Sequence, residues 1–274
     1  MKFLGSGKVK DMYSYDEQTL LFRFSDRVSA YDVKFSQTIP KKGSVLCKFA
    51  EFWFDTLDTP HHMVRRVSDT EMLVKKMTMI PLECVVRGYL YGSLAERWSK
   101  GTVHLPKGAS TELAARLPEP IFDPTTKSKH DVPIDQNTAL EMGLVTEDQF
   151  DWLSSKSIDI YKKMHHIADS AGYILADLKL EFGVCDRQII LGDSIGPDEC
   201  RLWPKKLYSV GRRQKAYDKQ ILRDWLAENG HAEKFEDARN RGQEPIPPQI
   251  PPEIISKMTQ RYVSVYRDIA GHMP

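Results

Sequence analysis

Cysteine is scarce and scattered: Cys47, Cys84, Cys185 and Cys200 form no Cys-x-x-Cys pair. This excludes a zinc ribbon and a thioredoxin-like redox motif, and leaves reduced, partly buried thiols as the expectation. An excess of charge of one sign is also lacking. The 39 Lys and Arg stand against 38 Asp and Glu, so no global field exists to grip nucleic acid, and an anionic ligand must meet a local cluster of cations. No run approaches the roughly 20 apolar residues of a membrane span, and Met1–Lys10 carries no signal-peptide core. The chain is therefore expected to be soluble and cytoplasmic, with neither membrane nor nucleic acid as partner. There is no His-Glu-x-x-His, no glycine-flanked serine elbow and no reactive-cysteine context. The pairs His61-His62 and His165-His166 are read as surface or capping residues, since adjacent side chains on one element cannot face one metal.

What is present is ample material for a core. The 274 residues, 41% hydrophobic and 28% charged, fit one large globular domain or two packed lobes. The first 85 residues read as β-rich. Runs at Val9–Ser14 and Leu20–Phe24 flank a polar turn at Asp16–Gln18 and suggest a hairpin. Leu46, Phe49, Trp53 and Leu57 then recur at helical spacing, and Leu73–Met77 and Leu82–Val86 are strand candidates separated by Pro81. The proline-bearing stretch 101–136 is too long for an idle connection and reads as a lid, or else as a disordered segment. Helices are expected at Ile158–Ser170 and Gln214–Glu228, strands at Tyr173–Cys185 and Ile189–Ile195. Gly242–Pro252 reads as a stiff spacer, followed by a helix carrying Ile254, Met258, Tyr262, Val265 and Ile269 on one side.

The chemistry concentrates in Tyr173–Gly183. Side chains alternate across a strand, so Ile174, Ala176, Leu178, Leu180 and Phe182 face a core while Asp177, Lys179 and Glu181 form a row on the opposite face. A three-residue hairpin loop at Asp186–Gln188 would set Asp193 opposite Glu181; a two-residue loop would separate them. Two such carboxylates suit Mg²⁺ shared with substrate phosphates, or else a solvated sheet face. Gly5-Ser-Gly7-Lys8-Val9-Lys10 is neither a Walker A loop nor a dinucleotide fingerprint, but either an ordinary N-terminal turn or a kinase-like glycine turn with lysines aimed at phosphates. Arg87, read as lying at a strand end before Gly88 and Gly92-Ser93, and Arg201 after a turn are forks suited to phosphate or carboxylate.

The order of these segments resembles the SAICAR synthetase family. The resemblance rests on Gly7–Tyr13, Asp26–Asp32, Ile39–Gly43, Pro81–Ser93, Phe122–Lys127, His130-Asp131, Ala176–Gly183, Pro197-Asp198, Arg201–Trp203 and Tyr217–Gln220. It implies an α+β fold of two lobes, a small β-rich kinase-like lobe (residues 1–84) and a larger mixed lobe (85–274), with ATP in the cleft. It implies ATP-dependent ligation of L-aspartate to the carboxylate of carboxyaminoimidazole ribonucleotide (CAIR), through an acyl phosphate, by a monomer or homodimer. By position in the family's motifs, Lys8, Val9, Lys10, Lys75, Met77 and Met79 are expected at ATP, and Glu181 and Asp193 at Mg²⁺. Arg87, Ser93 and Arg201 are expected at CAIR, Asp177 and Lys179 beside the reacting centre, and Lys127, His130 and Asp131 in a closing loop. A ligase using another amine or carboxylate, or a non-catalytic nucleotide-binding relative, is the alternative. The chain departs from the family's common Asp-Glu at Asp193-Ser194.

Overall fold

The computed structural model describes residues 1–127, 131–215 and 220–274, so His130 lies outside the described residues. The chain opens with β1 (Lys2–Ser6), β2 (Lys10–Ser14) and β3 (Thr19–Phe24), then a hairpin of β4 (Arg27–Ala30) and β5 (Val33–Thr38). After α1 (Lys42–Thr56) come β6 (Met63–Arg66), β7 (Glu71–Lys75), β8 (Thr78–Met79) and β9 (Leu82–Tyr89). Next are α2 (Ser93–Ser99), β10 (Arg116–Phe122), β11 (Thr125–Thr126), α3 (Gln136–Glu141) and α4 (Glu147–Ser170). The chain continues through β12 (Tyr173–Leu180), β13 (Phe182–Cys185), β14 (Gln188–Leu191) and β15 (Cys200–Pro204), and ends in α5 (Gln220–Glu228), α6 (His231–Asn240) and α7 (Pro252–Ala270).

Two five-stranded antiparallel sheets carry the molecule. The first has the order β1-β2-β3-β7-β6; the second runs β10-β9-β12-β15, with β11 added against β9. One apolar core joins them: Phe22, Phe49 and Met72 from the N-terminal third belong to the same buried cluster as Leu82, Leu153, Leu178 and Tyr262. All eight residues of β9 are buried, because it lies inside its sheet with α4 across it. The expected lobe boundary at 84/85 therefore falls within β9.

Local chemistry explains several boundaries. The helix expected over Ile158–Ser170 begins earlier, at Glu147, where Thr146 and Gln149 form a reciprocal capping box. Its buried stripe of Phe150, Leu153, Ile160, Tyr161 and Met164 supplies the tertiary packing that such length requires. At the start of α1 the Asp26 carboxylate accepts the Gly43 N–H at 2.8 Å, a cap supplied from outside the helix. The helix expected from Gln214 begins, among the described residues, at Gln220; Gln214 instead folds its amide onto the Ser209 and Arg212 carbonyls. The spacer before α7 is fastened where Gln37 exchanges hydrogen bonds of 2.8 and 2.7 Å with the Ile250 backbone. No helix among the described residues is long and apolar enough to cross a membrane.

Three expectations need correction, and the open choice of hairpin loop is decided. The strand expected over Tyr173–Cys185 breaks at Glu181: β12 pairs with β9 and β15, whereas β13 pairs with β14 and β8. The hairpin loop is the two-residue one, Asp186-Arg187, with φ of 49° and 66°, the doubly left-handed geometry that matches strand twist. The register therefore sets Phe182 opposite Leu191, and the Gly192 N–H reaches the Glu181 carbonyl at 2.8 Å, so Gly192 rather than Asp193 faces Glu181. Stretch 101–136 is not a free lid, since β10 and β11 within it pair with β9; Pro118 and Pro120 are tolerated because β10 is an edge strand. Arg87 lies inside β9 rather than at its end.

Candidate active site

Asp177 and Lys179 point from β12 to the same face, and each gathers its own set of charges. Asp177 sits between two cross-strand arginines, with Arg201 its partner on β15 and Arg87 its partner on β9. The Arg201 guanidinium donates directly to the Asp177 carboxylate, and Arg87 Nη1 stands 3.6 Å from the same oxygen. Arg87 donates from Nε to Asp123 at 2.9 Å and from Nη2 to the Ser93 hydroxyl at 2.9 Å. Arg97, from α2, closes on Asp123 at 2.6 Å. Three guanidiniums thus face two carboxylates in a largely buried cluster, leaving one positive charge for an anionic ligand.

Lys179 extends toward the Glu83 carboxylate at 2.7 Å and lies 3.7 Å from Glu181. Burial by itself would lower its pKa; Glu83 and Glu181 outweigh that and hold the ammonium above its ordinary value. Glu181, buried, is bridged by Lys127. Asp193 adopts a left-handed φ of 55° just past β14 and is bridged by Lys10, which also donates to Ser194 Oγ at 2.9 Å. Burial raises the Asp193 pKa, but Lys10, with Lys179 and Lys127 behind it, more than reverses this and holds the carboxyl below its usual range. Glu181 and Asp193 therefore border one group of lysines although they are not opposite each other.

The residues expected at the nucleotide divide. Lys10 is buried over the Phe22 and Phe24 rings, 5.0 and 5.6 Å from their centroids, and reaches Asp193. Val9 accepts the Ser25 N–H at its carbonyl. Lys8 turns the other way, is exposed, and pairs with Asp32 at 2.7 Å. Met77 fills a niche left by two glycines: a Cβ on Gly192 would stand 1.8 Å from its Cε, and one on Gly183 2.7 Å from its Sδ. Met79 is exposed on β8 beside Gly183, and Lys75 is exposed at the end of β7. Two clefts of about 630 and 500 Å³ share Ser93, Glu96, Arg201 and Arg223 in their walls. The larger adds Lys8, Asp32 and Arg213; the smaller adds Asp177, Lys179 and Asp131. Burial, then the nearby Glu83, raises the Asp131 carboxyl above its ordinary pKa.

The structure thus brings Asp177, Arg87, Ser93 and Arg201 into one cluster and Lys10, Lys127, Lys179, Glu181 and Asp193 into a second beside it, while Lys8 lines the larger cleft. Sequence reading did not single out Glu83, Arg97, Asp123, Arg213 or Arg223. Glu83 and Asp123 lie inside segments quoted for the family resemblance, so a signal existed; the arginines carried none. His62 is also corrected. It is not at the surface but buried, with Nε2 2.8 Å from the Asp193 carbonyl, and burial lowers its pKa to about 4. As the neutral ring donates to that carbonyl, it braces the left-handed turn that presents Asp193.

The family model for SAICAR synthetase matches residues 3–239. The phosphoribosylaminoimidazole-succinocarboxamide synthase of Nitrosopumilus maritimus is 68% identical over 271 residues, 99% of this chain and 99% of the relative. That of Candida maltosa is 37% identical over 98% of this chain and 94% of its own length. Among solved structures, SAICAR synthase from Saccharomyces cerevisiae complexed with SAICAR has a TM-score of 0.84 and 32% identity, covering 100% of this chain and 96% of that one. A type-2 SAICAR synthetase in complex with ADP has a TM-score of 0.75 and 25% identity, covering 100% and 99%.

Proposed function

This chain belongs to the SAICAR synthetase family, and on that premise we propose how its two charge clusters divide the work of the ligation. The enzyme is an ATP-dependent carbon–nitrogen ligase of purine biosynthesis: it joins L-aspartate to the carboxylate of CAIR, giving SAICAR, ADP and phosphate. A carboxylate resists an amine because its oxygen is a poor leaving group. Transfer of the ATP γ-phosphoryl to that oxygen makes an acyl phosphate; the neutral aspartate nitrogen then attacks the carbonyl carbon and gives up a proton as the C–O bond breaks and phosphate departs. The protein's part is positioning and charge neutralisation.

In this reading Arg87, Ser93 and Arg201 hold the CAIR ribotide, with Arg97 and Asp123 fixing Arg87. Asp177 and Lys179 stand at the reacting centre. Asp177 sets the Arg201 fork, and Lys179 neutralises charge developing on the transferred phosphoryl group. Lys10 takes the nucleotide phosphates, while Val9, Met77, Met79 and Lys75 line the purine side. Lys8, Lys127 and Asp131 belong to the cleft mouth. The observation that carries this reading is the single strand β12, which places Asp177 inside the arginine cluster and Lys179, one step on, inside the carboxylate cluster. A division into a nucleotide lobe and a ribotide lobe is part of the same proposal, with the boundary before β9 at Leu82 rather than at the expected 84/85.

Mg²⁺ is proposed at Glu181 and Asp193. Among the described residues no three acidic, histidine or cysteine side chains converge as a metal group, but Mg²⁺ commonly takes only one or two carboxylates beside phosphates and water. Both carboxylates already attract an ammonium, from Lys127 and Lys10, so the donor set suits a cation. When bound, the ion would neutralise the triphosphate. The test is steady-state ADP release: sustained turnover should require CAIR and aspartate together. Release with glycine or ammonia but not aspartate would overturn the substrate assignment. Glu181→Gln should weaken Mn²⁺ binding to the ADP complex, measured by water-proton relaxation; unchanged binding would remove Glu181 from the metal site.

A further inference from the structure

Away from both charge clusters lies an ion pair with almost no solvent contact. Lys42, at the start of α1, and Asp198, in the turn before β15, have side chains 0% and 1% exposed and meet at 2.9 Å. The Lys42 ammonium also donates to the Arg27 carbonyl at 2.9 Å and lies 5.8 Å from the centroid of the Tyr262 ring. The Tyr262 hydroxyl, from α7, donates to the second Asp198 oxygen. Buried charge pairs seldom stabilise more than well-packed apolar residues of the same volume. Added stability is therefore a weak reason for this group, and its geometry is the stronger one.

The pair joins two segments that lead to opposite groups of the site. On one side, Arg27 donates to the Asp11 carboxylate at 2.7 and 3.1 Å and to the Gly7 carbonyl at 3.3 Å, holding the glycine–lysine turn that precedes Lys10. On the other, the Glu199 carbonyl, next to Asp198, accepts the Lys179 N–H at 2.8 Å, and Arg201 lies two residues beyond, paired with Asp177. We propose that Lys42, Asp198 and Tyr262 form a buried strut that sets the spacing between the Lys10 wall and the Lys179–Arg201 wall, and that they are positioning residues for phosphoryl transfer. The proposal rests on the assignment of nucleotide and ribotide to those two walls. On this proposal α7, which lines neither cleft, contributes to the site's alignment without touching it.

The experiment compares Tyr262→Phe, which removes only the hydroxyl, with Arg201→Gln and the unaltered enzyme. ATP and CAIR each contact one wall, so the strut variant should bind substrates normally, while transfer between misaligned walls slows. Expected for Tyr262→Phe is a kcat about tenfold lower with KM for ATP, CAIR and aspartate within about twofold of the unaltered enzyme, and unchanged ADP-binding stoichiometry. The strut is overturned by a kcat within about twofold, by a loss matched by fewer nucleotide-binding molecules, or by a loss that comes with raised KM values. Should Tyr262→Phe not fold, Asp198→Asn is read by the same criteria. Arg201→Gln should raise KM for CAIR; if it does not, the wall assignment fails. A raised KM there beside a normal kcat in Tyr262→Phe fails the strut alone.

Discussion

Replacing Asp177 with Asn keeps its size and one acceptor oxygen but removes the charge that two arginines share. At an effective dielectric constant of about 20, a unit charge 3.6 Å from Arg87 Nη1 interacts by roughly 4–5 kcal/mol before desolvation. Arg201 lies closer, but its side chain is 22% exposed, so solvent screens part of its interaction. Removing one partner of a buried pair costs about 3–5 kcal/mol, and discounting for that exposure leaves about 2–3 kcal/mol of lost stability. The chemical effect should be separable. With Asp177 neutral, three guanidiniums face the Asp123 carboxylate alone, so anion binding gains a positive charge and KM for CAIR should not rise. The Arg201 fork, however, loses the carboxylate that aims it, and kcat should fall about a hundredfold, the scale of removing one aligned electrostatic contact from a transition state. The measurement is steady-state ADP release with CAIR varied at saturating ATP and aspartate, beside urea unfolding. A kcat within about fivefold of the unaltered enzyme, in protein shown to be destabilised, would refute Asp177 as the residue that aligns the reacting centre.

Two further expectations concern the scaffold. A Cβ on Gly88 would stand 1.8 Å from Tyr161 Oη, whose hydroxyl donates to the Leu175 carbonyl at 2.7 Å. Gly88→Ala should therefore destabilise by about 1–3 kcal/mol through overpacking; an unchanged thermal midpoint would show that Tyr161 yields freely. His165 is held below its ordinary pKa of 6.5, first by burial. Its unfolded form then binds a proton before its folded form does, so its contribution is intact above about pH 6.5 and is lost as pH falls toward the lower folded value, with a slope of at most about 1.4 kcal/mol per pH unit. His165→Gln should flatten the fall in stability between about pH 7 and 5, followed by urea unfolding; an identical slope would place that proton uptake elsewhere.

Much of the site could be read before any fold was known, because strand alternation is a property of the backbone. Asp177 and Lys179 share a face of β12 whatever surrounds them, and Leu178 between them must face a core, whereas Glu181 falls where the strand breaks. The glycine–lysine turn, the arginine before Gly88 and the quoted family segments likewise carry their meaning locally. Composition alone directed attention to a local cation cluster. Periodicity also located α1 and α7, since each apolar stripe needs only its own helix.

What only tertiary structure decided concerns partners distant in sequence. The register between Glu181 and Asp193 turned on two residues, Asp186 and Arg187, neither of them the glycine or asparagine that announces a tight hairpin, yet both left-handed in the fold. Arg97 finds Asp123, and Lys42 finds Asp198 and Tyr262, only because α2, α1 and α7 pack where they do. His62 looked like a surface residue because an imidazole carries no mark of its burial. Side-chain direction is set within a few residues, but the identity of the group it meets depends on how the whole chain closes on its core. That is why the Asp177–Lys179 row was legible in sequence, while the charges it meets were not.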